Sequence, residues 1–365
     1  MNSESEITVT RSLLRSFGRQ VSGQPAPVEF DNALAASPGV WRKVLSKLDS
    51  DCVTGMMGAA LSAEDALESL PENVATHFSE ATEAAYERNV LRLESFFRIL
   101  HELRAEDVEP TLLKSAGMAA RYPRLLAHNQ MGDVDLYISP DRLPGMEVVL
   151  KRNGFVKTGE VTRDAVYYNH EPSGLLLDIH HRFRLFEHLD FESITRVVPM
   201  SLPAGETAKL LTMEAELVHL VYHMNEHRAP HGYQLRWFIE ILVLLEEEGR
   251  LMDLEKLAIA APDEKLGFWT ARLLGFIRED FDVDFRLAAF PRHIQGFGLT
   301  EVFASRRHAS FPLNRLHAWK RLVGCLAGLR DLDQRVYPAP LDYFHIRDYA
   351  REEAKAKLDW QAACS

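Results

Sequence analysis

Little in this sequence points to a membrane, an oxidising compartment or a nucleic-acid surface. Cysteine is scarce: Cys52, Cys325 and Cys364 are the only three, widely spaced and forming no metal-type cluster. Such usage fits a reducing cytoplasm better than a disulfide-stapled secreted domain. No apolar run reaches the ~18 residues that a bilayer crossing requires. The acidic start, Met1-Asn-Ser-Glu-Ser-Glu6, lacks the apolar centre of a signal peptide. A cytoplasmic protein with no membrane partner is therefore expected. Positive charge is in deficit as well, and a formal net charge of −11 argues against a protein that coats nucleic acid. A local basic cleft for a nucleotide remains compatible with that balance. Internal repeats and low-complexity segments are absent. What is present, 46% hydrophobic and 26% charged residues, describes an ordinary globular chain. At 365 residues it exceeds the usual single-core size, so two or three lobes are expected.

The chain is organised around Met131-Gly-Asp-Val-Asp-Leu136, which continues through Tyr137 and Ile138 to Ser139-Pro140. Leu136 to Ile138 suit a strand. With period 2, Asp133 and Asp135 share one face, and Val134 and Leu136 the other. Two carboxylates side by side on a strand repel each other and invite a divalent cation. Their hard oxygens suit Mg²⁺ or Mn²⁺. Ser139, Pro140 and Asp141 then carry helix-start signals, and a helix is expected over about 140–153, closed by Gly154.

Ahead of this stretch the pattern is helical. Short helices are expected over about 40–70, with Trp41, Val44 and Leu45 on one face. After Pro71 a long helix is expected over about 74–104, with Leu91, Leu93, Phe96, Phe97, Leu100 and Leu103 as its apolar set. Next comes Thr111-Leu-Leu113 as a brief strand, and Lys114-Ser-Ala-Gly117 as a small-residue turn into a helix over 118–126. Small residues at such a turn let backbone N–H groups approach a phosphate, and Lys114 adds a point charge. Taken in isolation, these four residues read first as a plain strand-to-helix turn with a surface lysine.

Downstream, Ala165 to His170 is a strand by composition, Glu171-Pro-Ser-Gly174 a four-residue turn, and Leu175 to Arg182 the returning strand. Asp178 interrupts the apolar run of that strand, where a carboxylate is costly to bury unless paired or metal-bound. His180 shares its face. A third carboxylate beside Asp133 and Asp135 is what a two-metal site needs. A helix is expected over 207–227, carrying His219, His223 and His227 at i, i+4 and i+8. Zinc on that stripe lacks support, because neither His-Glu-x-x-His nor a histidine–aspartate dipeptide occurs. The apolar helix over 234–245 has Arg236 and Glu240 as interior charges, spaced to pair. Beyond 250 the pattern is helical with breaks near Pro262, Pro291 and Pro312, and basic patches occur at Arg306-Arg-His308 and from Arg315 to Arg321.

Taken together, Leu-Leu-Lys-Ser-Ala-Gly117, Met131-Gly-Asp-Val-Asp-Leu136, the helix ending at Asn153-Gly-Phe155 and Leu177-Asp-Ile-His180 resemble the poorly characterised bacterial nucleotidyltransferases of the polymerase-β-like superfamily. The resemblance spans about 76–245 and is most specific at 131–136 and 177–180. It implies that Asp133, Asp135 and Asp178 are the catalytic, metal-binding carboxylates. It places Lys114, Ser115, Gly117, Gly132 and His180 beside the nucleotide. Ser115 stands where the family usually has glycine after the lysine, which alters the phosphate turn more than the metal site.

The expected fold is α+β: a small mixed sheet core at 108–205 between helical regions at 1–107 and 206–365. The expected reaction is metal-dependent transfer of NMP from an NTP to an acceptor, with release of pyrophosphate. Mg²⁺ or Mn²⁺ is the cofactor. The acceptor is open among a small molecule, a sugar, a peptide, a protein and an RNA end. A kinase using the same metal site and a catalytically silent binding module are the alternatives.

Overall fold

The computed structural model describes residues 4–23, 36–63, 65–161, 164–231 and 234–249, with isolated positions between 256 and 281. The segments expected to be helical beyond 281, including Pro291, Pro312 and both basic patches, lie outside the described residues. Among those described, no helix is long and apolar enough to cross a membrane.

Among the described residues, three helices come first: α1 (Glu4–Val21), α2 (Pro38–Ser50) and α3 (Thr54–Ala63). The long α4 (Glu72–Ala105) follows Pro71 and has no internal Gly or Pro to break it. Phe78, Ala85, Asn89, Leu93, Phe96, Leu100 and Leu103 recur at helical spacing and are all buried. Leu91, expected in that apolar set, falls on the opposite face and is 61% exposed. α3 crosses α4 closely at its glycines, since a Cβ on Gly58 would lie 2.7 Å from the Phe78 carbonyl oxygen.

The core is a seven-stranded sheet in the order β3-β4-β5-β2-β1-β7-β6. Its strands are β1 (Thr111–Leu112), β2 (Val134–Tyr137), β3 (Val156–Val161), β4 (Ala165–His170), β5 (Leu175–His180), β6 (Thr195–Pro199) and β7 (Thr207–Leu211). β2 and β5 run parallel, as do β1 and β7, while every other pair is antiparallel. β4 and β5 join through Glu171–Ser173 and Gly174, whose φ of +64° is open to glycine. Val134, Leu136, Leu177 and Ile179 point into the core and are fully buried. The opposite face of the same two strands is left to Asp135, Asp178 and His180. Mixed sheet and flanking helices make the fold α+β, as expected.

Five further helices lie among the described residues: α5 (Lys114–Arg121), the short α6 (Pro123–Leu126), α7 (Leu143–Arg152) and the pair α8 (Met213–His231) and α9 (Leu235–Glu248). Three boundaries differ from the sequence reading. The helix expected from residue 207 begins only at Met213, because 207–211 form β7 between β1 and β6. Five residues are too few to separate a helical from an alternating apolar pattern, and strand pairing decides. The helix expected from residue 140 begins at Leu143, with Pro144 in its first turn. Lys114 to Gly117, expected as a turn, are the first residues of α5 itself.

Candidate active site

The site is built by the parallel register of β2 on β5, which sets Asp135 directly opposite Asp178 and Tyr137 opposite His180. Both aspartates are 7% exposed. Neighbouring carboxylates with so little water repel strongly, so cations must stand close. Lys114 Nζ donates to Asp135 Oδ1 at 2.5 Å. His180 Nε2 lies 3.4 Å from Asp178 Oδ2 and 3.7 Å from Asp135 Oδ1, an electrostatic contact without hydrogen-bond geometry.

These neighbours set the protonation states. Burial opposes ionisation of Asp135, but Lys114 and His180 outweigh it and hold the carboxyl well below its usual range. Burial also opposes charge on His180, and the two aspartates overcome it, raising the imidazole to about 9. Asp133, one step before β2 and half-buried, is pushed up to about 6 by burial and then by Asp135. The two carboxylates of one short motif thus titrate far apart, an arrangement common where proton transfer is needed.

Lys114 reaches Asp135 because its own backbone is turned. Its φ of +50° lies in the left-handed region, unusual for a lysine, at the junction of β1 and α5. Its backbone N–H faces the buried carboxylate of Glu216 on α8, which burial, followed by the charge of Glu240, raises to about 8. Glu240 on α9 accepts from Ser115 Oγ and, at 2.6 Å, from Asn129 Nδ2. Burial foremost raises its carboxyl above the usual range. Asn89 of α4 in turn donates to the backbone carbonyls of Ala127 and Asn129. Helices from both flanks therefore brace the segment that delivers Asp133 and Asp135.

Lys114, Asp133, Asp135, Asp178 and His180 come together here. Ser115 instead turns to Glu240. Gly117 is buried against β7, where a Cβ would lie 2.9 Å from Leu210 Cδ2, so its smallness serves helix–strand packing. Gly132 is exposed with open space around it. The histidine stripe is aromatic packing: His219 meets Phe183 edge-on at 4.8 Å and His223 meets Trp237 at 5.8 Å. His227 falls outside the described side chains. The Arg236–Glu240 pairing expected on α9 gives way to the Ser115 and Asn129 bonds, and the Arg236 guanidinium lies 5.8 Å over Trp237. Glu216, Asn129 and Glu240's role at the site had not been singled out; an acid inside an otherwise apolar helical run was the available signal for the two glutamates.

The donor set fits a divalent cation. Asp135, Asp178 and His180 offer ligand atoms all within 4.8 Å of one another. Asp178 Oδ1 is buried with no hydrogen-bond partner, a costly state that a hard cation relieves. Asp133 stands at the rim of this group rather than inside it.

A search of curated proteins found no match. Among solved structures, the solution structure of the antibiotic-resistance factor ANT(2'')-Ia is similar at 16% identity, over 46% of this chain and 88% of that one, with a TM-score of 0.35. A crystal structure of ANT(2'')-Ia in complex with adenylyl-2''-tobramycin is similar at 15% identity, over 46% and 93%, also with a TM-score of 0.35. The model of a family described as uncharacterised nucleotidyltransferases matches residues 37–267, which takes in both flanking helices and the whole sheet, and the chain belongs to that family.

Proposed function

We propose that this protein transfers a nucleoside monophosphate from an NTP to an acceptor hydroxyl, releasing pyrophosphate. The observation that carries the reading is the β2–β5 register, which stacks Asp135 on Asp178 with Asp133 and His180 beside them. Asp133, Asp135 and Asp178 would hold Mg²⁺ or Mn²⁺. Such a cation, when bound, neutralises the polyphosphate and lowers the pKa of an attacking oxygen. In-line attack forms a bond from the acceptor oxygen to the α-phosphorus. The bond from that phosphorus to the α–β bridging oxygen breaks, and its electron pair leaves with pyrophosphate. The acceptor's proton would pass to Asp178, through whichever of its oxygens the cation does not hold. Lys114 and the imidazolium of His180 contribute positive charge facing the phosphates, and the open surface at Gly132 gives the nucleotide access. The catalytic core on this reading starts at 108 and, with β7, runs on through 211.

A second reading rests on one specific contact. The Lys114 ammonium already neutralises Asp135, as it would in a silent binding module that needs no metal. Calorimetry separates the two, with each NTP in turn plus Mg²⁺ or Mn²⁺, on wild type and on Asp133→Ala/Asp135→Ala. Metal-dependent binding that the double variant loses supports nucleotidyl transfer. Binding unchanged in the variant removes the metal site, and no binding by folded wild type selects the silent module. Nucleotide labelled at the α- or the γ-phosphate then tells nucleotidyl transfer from kinase activity.

A further inference from the structure

We propose that Arg88 and Arg92 of α4, with Arg236 of α9, form a clamp for the β- and γ-phosphates of the nucleotide, contributed by helices that precede and follow the sheet in the chain. The inference rests on the nucleotidyl-transfer reading and goes beyond it by assigning residues outside the carboxylate motifs. α4 is fixed against the chain that leads into Asp133: Asn89 donates to the carbonyls of Ala127 and Asn129, and Arg92 donates to the carbonyl of Met131. Arg88 lies one turn earlier on the same face. Two guanidiniums so close repel each other: burial and then Arg88 lower the Arg92 pKa from its ordinary value, and Asp133 opposes them. Arg236 also acts on Asp133. Its Nε is buried with no hydrogen-bond partner, and its position is set one turn before Glu240, which grips Asn129.

None of the three arginines forms an ion pair among the described residues. Two guanidiniums beside a single half-buried aspartate, with Arg88 next to one of them, leave a positive excess at the rim of a site whose floor is acidic. A polyanion relieves that excess better than a single phosphate does. Planar guanidiniums suit phosphate oxygens bidentately. The same groups would stabilise the charge that gathers on pyrophosphate as it leaves.

The probe is inorganic tripolyphosphate with Mg²⁺, titrated by calorimetry into wild type, Arg88→Gln, Arg236→Gln and the double variant. Arg92 is spared because it also anchors α4. Each single change should weaken binding about tenfold and the pair about a hundredfold. Affinity for Mn²⁺ alone should not fall, because a positive charge beside Asp133 is removed, and the melting temperature should stay unchanged. Tripolyphosphate binding in the double variant within about twofold of wild type, or none by wild type, overturns the clamp. Tripolyphosphate binding that the arginine variants lose, in a protein that transfers no labelled α-phosphate, removes the functional reading and leaves the clamp. NTP binding lost in the aspartate variant and kept in the arginine variants removes the clamp alone.

Discussion

Glu216 should make the metal-free protein less stable as pH rises, and Glu216→Gln should remove that residue's share of the slope. The side chain sits on α8 at 7% exposure, with Oε1 buried and without a hydrogen-bond partner. Burial, then the charge of Glu240, lifts its carboxyl from the ordinary 4.5 to about 8, while Lys114 pulls weakly the other way. Below pH 4.5 the folded and unfolded chains both carry the proton, and no penalty exists. Between 4.5 and about 8 the unfolded chain releases a proton that the folded chain keeps, so stability falls with each step in pH. Above about 8 both states are ionised and the loss is complete.

The loss accrues at about 1.4 kcal/mol per pH unit, so at pH 7 it has a ceiling of about 3 kcal/mol. A glutamine of the same shape does not titrate, and its amide oxygen can still face the Lys114 N–H. Urea unfolding in EDTA at several pH values from about 4 to 8 should therefore show the two proteins diverging, with the variant gaining up to that ceiling by pH 7. The new amide can add a constant offset, so the slope of the difference is what matters. A stability difference between variant and wild type that stays flat with pH refutes a neutral Glu216.

Three further outcomes follow from the same site. Asp178→Asn should abolish metal-dependent nucleotide binding and cut transfer at least about a thousandfold, yet raise the urea midpoint of the metal-free protein, because it removes a buried and partly unpartnered carboxylate. Lys114→Met leaves Asp135 without its 2.5 Å partner and should cost about 3–5 kcal/mol in EDTA, part of which Mn²⁺ restores by taking over the positive role. Gly58→Ala gains up to about 1 kcal/mol of helix propensity, but its Cβ meets the Phe78 carbonyl oxygen at 2.7 Å. Backbone cannot yield as a side chain can, so thermal melts should show a net loss of about 1–3 kcal/mol.

The sequence is informative about the site wherever one short segment carries the signal. Alternation around Asp133 and Asp135, and the turn at Glu171 to Gly174, are local, and β2, β4 and β5 were readable from them. Register is not local: nothing in either strand says that β2 pairs parallel with β5, and only that pairing puts Asp135 against Asp178. The same limit hid β7, whose five residues look helical until β1 and β6 claim them. It also hid the direction of Lys114, recognisable as a cation after a strand but not as one in a left-handed conformation aimed at the carboxylates. Glu216 and Glu240 went unassigned to the site because an acid in a helix is ordinarily solvated, and only packing reveals that these two are not. Each of these residues breaks a local rule: a lysine with positive φ, an aspartate in an apolar strand, a glutamate in an apolar helix. One such break costs stability and means little by itself. Lys114, Asp135, Asp178, Glu216 and Glu240 break their rules within one connected set of contacts and charges, where Lys114 offsets part of the cost of Asp135, Asp178 and Glu216, and this convergence marks the site more strongly than any single motif does.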